Sequence, residues 1–190
     1  MDYLDWDVSN CSVGRAVTLK LSPGDVSHTR DALNALAAGD VLVVAQAGDR
    51  HAACWGEMTS LAAQVRGAAG VIIDGSCTDL AEIEAMGLPT FARGLAALVG
   101  RRLNHEGGVN LPITCGGVVV RPGDVVVADV NGIVIMPPDE AVATYPIARE
   151  YEDRAPHQRR WILGGGLLSD LNGLNAKEIA AKVTERDARP

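Results

Sequence analysis

Apolar and polar residues change their period several times along the chain, and each change marks an element. Residues 15–21 (RAVTLKL) alternate as a half-exposed strand does, and Ser22-Pro23-Gly24-Asp25 supplies a turn leading into a helical stretch over 27–38. Two β-branched apolar runs are each entered through a tight turn. VLVVA follows Ala38-Gly39-Asp40, and VVVADVNGIVIMP follows Arg121-Pro122-Gly123-Asp124, so two related β-turn-β corners are expected. Within the second, Asn131-Gly132 predicts a hairpin, because both residues accept positive φ.

Between the corners, strand and helix patterns alternate. A helix is expected over 56–67, an apolar strand over 71–73, a short helix over 80–86 and a strand over 89–92. The strand at 71–73 is read as delivering Asp74, Gly75, Thr78 and Asp79 into a loop at its carboxyl end, where open α/β sheets tend to bind ligands. From Asp139 the chain becomes polar and helical (DEAVATYPIAREYEDRAPHQRRWIL), interrupted by Pro146 and Pro156; Gly164-Gly165-Gly166 and a last helix near 176–187 follow. The expected division is an α/β domain over 1–138 and a C-terminal helical tail over 139–190 with little core-forming pattern of its own. The tail either contacts a neighbouring subunit or folds back on its own sheet.

Composition supports a packed core. Of 190 residues, 47% are hydrophobic and mean hydropathy is +0.10, yet only 4% are aromatic, with a single Phe. Val, Ile, Leu, Ala and Gly must build the interior, which suits layered α/β packing. A net charge of -7 argues against nucleic-acid binding, which needs clustered Lys and Arg. The scattered Cys11, Cys54, Cys77 and Cys115 form no C-x-x-C pair and read as small, reduced, buried residues. No apolar run approaches the roughly 20 residues of a membrane helix, and the acidic opening MDYLDWDVSN is unlike a signal peptide. A soluble, cytoplasmic protein with no membrane association is expected.

Candidate chemistry centres on two places, each with two readings. Gly56, Glu57, Met58 and Thr59 open a helix whose free N–H groups can hold a carboxylate or phosphate; every helix has such an end, and Glu57 equally reads as a favourable first-turn charge. Asp79 can be an oxygen ligand for Mg²⁺, or the N-cap of the helix that starts at Leu80. Asp74 reads as a turn residue bonding its own backbone, and the loop over 47–51 either wraps a ligand or is plain surface. His28, His51, His105 and His157 lack zinc-site spacing, and neither a G-x-S-x-G elbow nor a phosphate-binding glycine loop is present. Cys115 has no nearby base and reads as packing.

The segment AGDRHAACWGEMTSLAAQVRGAAGVIIDGSCTDLAEIEAMGLPTFARG, followed by GGVNLPITCGGVVVRPGDVVVADVNGIVIMP, resembles the family named for the regulator of ribonuclease activity A, which includes the 4-hydroxy-4-methyl-2-oxoglutarate aldolases. RRWILGGGLLSDLNGL at 159–174 looks like the tail of the aldolase branch. The resemblance implies a layered β/β/α sandwich of the swivelling-domain type, assembled as a homotrimer or hexamer, with active sites between subunits. It implies that Gly56 to Thr59 bind the carboxylate of a small-molecule acid substrate. It also implies that Mg²⁺ or Mn²⁺ is held by Asp79, with Glu57 and either Glu150 or Glu152 of a neighbouring subunit acting through water.

One position departs from that family. Its turn reads D-G-x-x-R-D, whereas this chain has Asp74-Gly75-Ser76-Cys77-Thr78-Asp79, with Thr78 in place of the substrate-clamping Arg. A hydroxyl donates one hydrogen bond where a guanidinium donates two and carries charge. Arg50, His51, Arg93, Arg101 and Arg102 are the candidates to replace it. The reading is a divalent-metal-dependent lyase, cleaving by retro-aldol reaction or decarboxylation, with an altered substrate and Asp79, Glu57 and Thr78 at its centre. The alternatives are a non-catalytic, protein-binding regulator and an isomerase or hydratase on the same metal scaffold.

Overall fold

The computed structural model describes residues 11–188, so the acidic opening segment lies outside the described residues. The chain forms two compact units, 1–138 and 139–190. In the first, β1 (Ser12–Lys20), α1 (Thr29–Ala35), β2 (Asp40–Ala45), β3 (Ala53–Trp55), α2 (Glu57–Val65), β4 (Gly70–Cys77), α3 (Leu80–Met86) and β5 (Thr90–Leu95) alternate through the centre. Short strands then follow: β6 (Gly108–Val109), β7 (Ile113–Cys115), β8 (Val118–Val120), β9 (Val125–Asp129) and β10 (Gly132–Met136).

The main sheet runs in the order β10-β9-β1-β2-β4-β3, with β5 also on β4 and β6 on β1. Neighbours among β1, β2, β3, β4 and β5 are parallel, and β9 pairs antiparallel with β1 and β10. Every residue of β2 and β4 is buried, which is why the first reads as a continuous apolar run. On one face Leu19, Leu42, Val44 and Ile73 pack with Leu33, Ala63 and Ile83 of the three helices. On the other face Ala16, Val43, Ile72 and Phe91 pack with Ile113, Cys115 and Val120 of the antiparallel pair β7-β8. The result is helices, central sheet and a small second sheet, a layered β/β/α arrangement.

Of the two expected β-turn-β corners, the second forms between β8 and β9, whereas the first turn joins helix α1 to β2 because residues 29–35 are helical. Gly39 and Gly123 take φ of +84° and +87°, and the Asp that follows each one receives a backbone N–H three residues upstream, from Ala37 to Asp40 (2.9 Å) and from Arg121 to Asp124 (2.7 Å). Asn131-Gly132 lies at the β9-β10 hairpin.

Four further expectations are corrected. β4 does not stop at Ile73: it continues to Cys77, because β3 and β5 flank it there, pairing Ala53 with Ser76 and Ser76 with Gly94, so Asp74 and Gly75 are strand residues. Cys11 is exposed, whereas Cys54, Cys77 and Cys115 are buried and all four are free. Pro146 and Pro156 do not interrupt the helix, which is one element, α4 (Pro138–Leu163). The carbonyls they release belong to exposed Val142 and Glu152, where water can satisfy them. Finally, the second unit has a core of its own: Trp161 of α4, Leu171, and Ile179 and Val183 of α5 (Ala176–Asp187) form one cluster. Its members come from separate segments, so no single periodic stretch reveals it. The Trp161 indole N–H donates to Leu167 O (3.0 Å), and the Arg186 guanidinium lies 5.0 Å from the ring centroid.

Trp161→Ala is expected to remove about 3–5 kcal/mol from this unit, the usual loss for a buried aromatic. Hydrogen exchange should then show α5 losing protection while β1, β2 and β4 keep theirs.

Candidate active site

The site begins where β3 becomes α2. Trp55, 2% exposed, anchors the junction by donating its indole N–H to the Ser60 hydroxyl (2.7 Å). Gly56 then starts the helix. The Thr59 hydroxyl accepts the Gly56 N–H (2.9 Å) and donates to the Gly56 carbonyl (2.8 Å), half of a capping box whose other half a glycine cannot supply.

Asp79 brings a carboxylate to the same helix start from a distant segment, at the Glu57 N–H. It follows β4 through Thr78, whose N–H donates to Trp55 O (2.9 Å), and adopts left-handed backbone angles of φ 56° and ψ 44°, uncommon for a residue other than glycine. Although Asp79 heads α3 in sequence, its carboxylate makes no cap bond to α3, which corrects the expectation of an ordinary N-cap for the helix at Leu80. Asp79 Oδ2 instead accepts the Glu57 N–H at the start of α2 (2.9 Å), and Oδ1 accepts the Thr78 hydroxyl (3.1 Å). A Cβ on Gly56 would lie 2.5 Å from Asp79 Oδ2 and 2.9 Å from Thr78 Cγ2, so glycine is required there for close approach. The N–H groups of Met58 and Thr59, in the first turn of α2, have no intrahelical partner.

A cavity of about 390 Å³ opens on this junction. One wall holds Gly56, Glu57, Met58, Thr59, Thr78 and Asp79, so the structure gathers six of the residues singled out in the sequence. Val26, Thr29, Arg30, Val99 and Arg102 line the cavity too, along with Ala53, Cys54 and Trp55. Burial pushes the Cys54 thiol up to about 12, so it offers no thiolate at neutral pH; Cys115 lies likewise near 12. Glu150 and Glu152 belong to the second unit. There the Ala176 N–H (2.7 Å) and Arg154 (3.2 Å) hold the Glu150 carboxyl below its ordinary range, and Glu152 is exposed.

Of the five cations considered as replacements for the missing Arg, only Arg102 lines this cavity. Arg93 pairs with Asp74, whose other oxygen accepts the Gly116 N–H (2.7 Å); Asp74 is therefore a tertiary contact, not a turn residue bonding its own backbone. Arg30, outside that set of five, lines the cavity as well. No local signal marks it, because its place at the cavity depends on how the segments 22–30 and 99–105 are joined.

Asp25 joins them. Its carboxylate, 1% exposed, accepts the Ser27 N–H (2.8 Å), the Ser27 hydroxyl, the Leu103 N–H (3.1 Å) and the His105 N–H (2.8 Å). Val26 N donates to Arg101 O and Arg101 N to Gly24 O, extending the seam. Burial alone would raise the Asp25 carboxyl, but these donors outweigh it and hold the group far below the usual carboxylate range.

Among the described residues, no three His, Cys, Asp or Glu side chains gather as a metal site, and no helix is long and apolar enough to cross a membrane. A family model described as RraA-like, Aldolase/RraA, matches residues 4–135. The chain belongs to the RraA-like family. Among its relatives, an uncharacterised protein of Methanocaldococcus jannaschii is 32% identical over 164 residues, which cover 85% of this chain and 77% of that one. A protein of Halalkalibacterium halodurans named as a candidate 4-hydroxy-4-methyl-2-oxoglutarate aldolase is 34% identical over 125 residues, 66% of this chain and 59% of its own length. Among solved structures, Streptomyces coelicolor RraAS2, described as an unusual member of the RNase ES inhibitor RraA family, superposes with a TM-score of 0.73 at 29% identity, covering 83% of this chain and 79% of that one. The RNA-processing inhibitor RraA of Thermus thermophilis gives 0.65 at 27% identity over 71% and 81%. This RraA-like protein is thus similar in sequence to a chain named for an aldolase and in fold to chains named for inhibition of RNA processing.

The lowered Asp25 carboxyl gives a pH-dependent prediction. Its stabilisation is complete above the unfolded value near 3.9 and is lost as pH falls through the folded value. Asp25→Asn should therefore cost on the order of 3 kcal/mol at pH 7. In urea melts the gap between variant and wild type should shrink below about pH 4.

Proposed function

We propose that this RraA-like protein is a divalent-metal-dependent carbon–carbon lyase acting by retro-aldol cleavage or decarboxylation on a 2-oxo acid or a related enolisable acid. The observation that carries this reading is the docking of the Asp79 carboxylate on the first N–H of α2, with Glu57 in the same cavity and the Met58 and Thr59 N–H groups left without intrahelical partners. Anion-binding amides and a pair of carboxylates then share one space. The aldolase name of a relative of which this chain spans 59% supports the same class of chemistry.

The donor set suits a hard, hydrated cation. Mg²⁺, and Mn²⁺ with it, takes few carboxylates and keeps several waters, and two carboxylates on one cavity wall meet that need without a third protein ligand. Asp79 would hold the ion directly and Glu57 through water, with Glu150 or Glu152 of a neighbouring copy reaching it if the chain assembles as a homotrimer or hexamer. When bound, the cation polarises the C2 carbonyl and neutralises negative charge as the carbon–carbon bond breaks.

The chain's own groups would orient the acid. Met58 and Thr59 N–H groups, at the positive end of α2, hold the carboxylate next to the carbonyl. Gly56 keeps that approach clear of a side chain. The Thr78 hydroxyl, which donates to Asp79, stands uncharged where the family pattern stated above has an Arg. Loss of a charged donor from a site of this kind costs on the order of 3 kcal/mol, about a hundredfold in rate, so ordinary aldolase substrates should turn over slowly.

A second reading is a protein-binding regulator, favoured by structural neighbours whose names describe inhibitors of RNA processing. It predicts the same fold without metal-dependent turnover.

Two measurements test the enzyme. Calorimetry should detect Mg²⁺ or Mn²⁺ binding that Asp79→Asn abolishes while the amide oxygen still accepts from Glu57; equal binding by both proteins would sink the metal assignment. Oxaloacetate decarboxylation should be weak in the wild type and rise about tenfold or more in Thr78→Arg. A wild-type rate unchanged by that substitution shows that Thr78 does not limit the reaction.

A further inference from the structure

A second cavity, of about 480 Å³, lies at the carboxyl ends of the parallel strands and shares no lining residue with the one at the start of α2. In open α/β sheets ligands tend to bind beyond those strand ends. Three of its lining residues form one row across the sheet, because Lys20 of β1 is in register with Ala45 of β2, and Ala45 with Asp74 of β4. Alternation along the strands puts all three on the face of Ala16, Val43 and Ile72, which the β7-β8 pair covers. The Gly116 N–H, in the turn between β7 and β8, reaches Asp74 from that side.

The row leaves one cation for a ligand. Asp74 is engaged by Arg93 and by the Gly116 N–H, whereas the Lys20 ammonium pairs with Glu106 at 3.6 Å, and the Glu106 side chain is 91% exposed. A pair so open to solvent is weak and yields readily to another anion. Ala45, between Lys20 and Asp74, projects only a methyl group, and Leu21, Pro112, Ile113 and Val119 make the rest of the lining largely apolar. Ala47 lines the cavity too, in the left-handed conformation at φ 53°, and its N–H has no hydrogen-bond partner among the described residues. A residue with a Cβ holds that conformation at a cost, and such strain collects at binding sites.

We propose that this cavity is a separate binding site for a small aliphatic monocarboxylic acid, with the carboxylate on Lys20 and the carbon chain against Ala45, Ala47, Pro112 and Ile113. One cation in a mostly apolar lining fits a ligand with one charged end and an apolar body, and the volume suits a small molecule. Asp74, in the same row as Lys20, disfavours a ligand with a second negative charge. The site needs no metal and stands apart from the lyase reading.

The test titrates hexanoate and the uncharged hexanamide into the full chain without metal, followed by NMR of backbone and methyl groups. Hexanoate should shift Ala45, Ala47 and Ile113, and should bind about threefold or more tightly than hexanamide at low salt, an advantage that added salt removes. Lys20→Met keeps an apolar stem and should abolish the difference between the two ligands. Glu106→Gln should strengthen hexanoate binding about twofold, because it frees Lys20, whereas a purely structural ion pair predicts no gain. Both positions are exposed, so both variants should keep the wild-type melting temperature. Shifts confined to Met58 and Thr59 put the acid at the start of α2 instead and overturn the proposal. Equal affinity for the two ligands in wild type, binding of neither, or no change in either variant overturns it as well.

Discussion

The hydrogen bond from the Glu57 N–H to the Asp79 carboxylate is the contact around which the cavity wall is built. It joins the start of α2 to the end of β4, segments that the sequence separates by a whole helix and strand. The bond requires three further conditions, each visible in the chain. Gly56 must lack a side chain, Asp79 must accept a left-handed backbone, and β4 must extend past Ile73 so that Thr78 reaches Trp55. A carboxylate at a helix N-terminus is stabilised by the dipole and by an otherwise unpaired N–H, which offsets part of the cost of the unusual backbone at Asp79. A helix start and an acidic turn, each commonplace alone, thereby become one structure.

The same device recurs where segments far apart in sequence must be held in register. Asp25 gathers Leu103 and His105, Asp74 takes the Gly116 N–H, and Asp40 and Asp124 close the turns that lead into β2 and β9. All four carboxylates are buried. Part of the acidity that gives the chain its net charge of -7 is therefore structural, serving backbone donors in an interior with few aromatic residues and no disulfides. That use explains how buried acids and an aliphatic core coexist. A buried carboxylate supplied with several N–H donors is a strong, directional tie, whereas Val, Ile and Ala pack without dictating which loop meets which.

Much of the fold was legible because it rests on local rules. Continuous apolar runs marked β2 and β4, the Gly-Asp turns marked the corners, and Asn131-Gly132 marked the hairpin. Six candidate residues from two separate stretches proved to share one cavity wall. What escaped depends on tertiary contact. The extension of β4 follows from strands flanking it, since Asp74 and Ser76 look like loop residues until their neighbours are known. The core around Trp161 draws on separate segments. Arg30 reaches the cavity because Asp25 anchors the segment before it to residues near 103, and no window along the chain contains both.

That last omission alters how Thr78 is understood. Read along the chain, Asp79 stands in a stretch with no Lys or Arg between Gly67 and Arg93, and the loss of a neighbouring guanidinium looks like a loss of charge from the site. Within the cavity lining, two carboxylates, Glu57 and Asp79, share the space with two guanidinium groups, Arg30 and Arg102, and the formal charges balance. Unbalanced charge in a confined space is costly, so the two guanidinium groups offset the carboxylates that Thr78 leaves without a cation beside them in the turn.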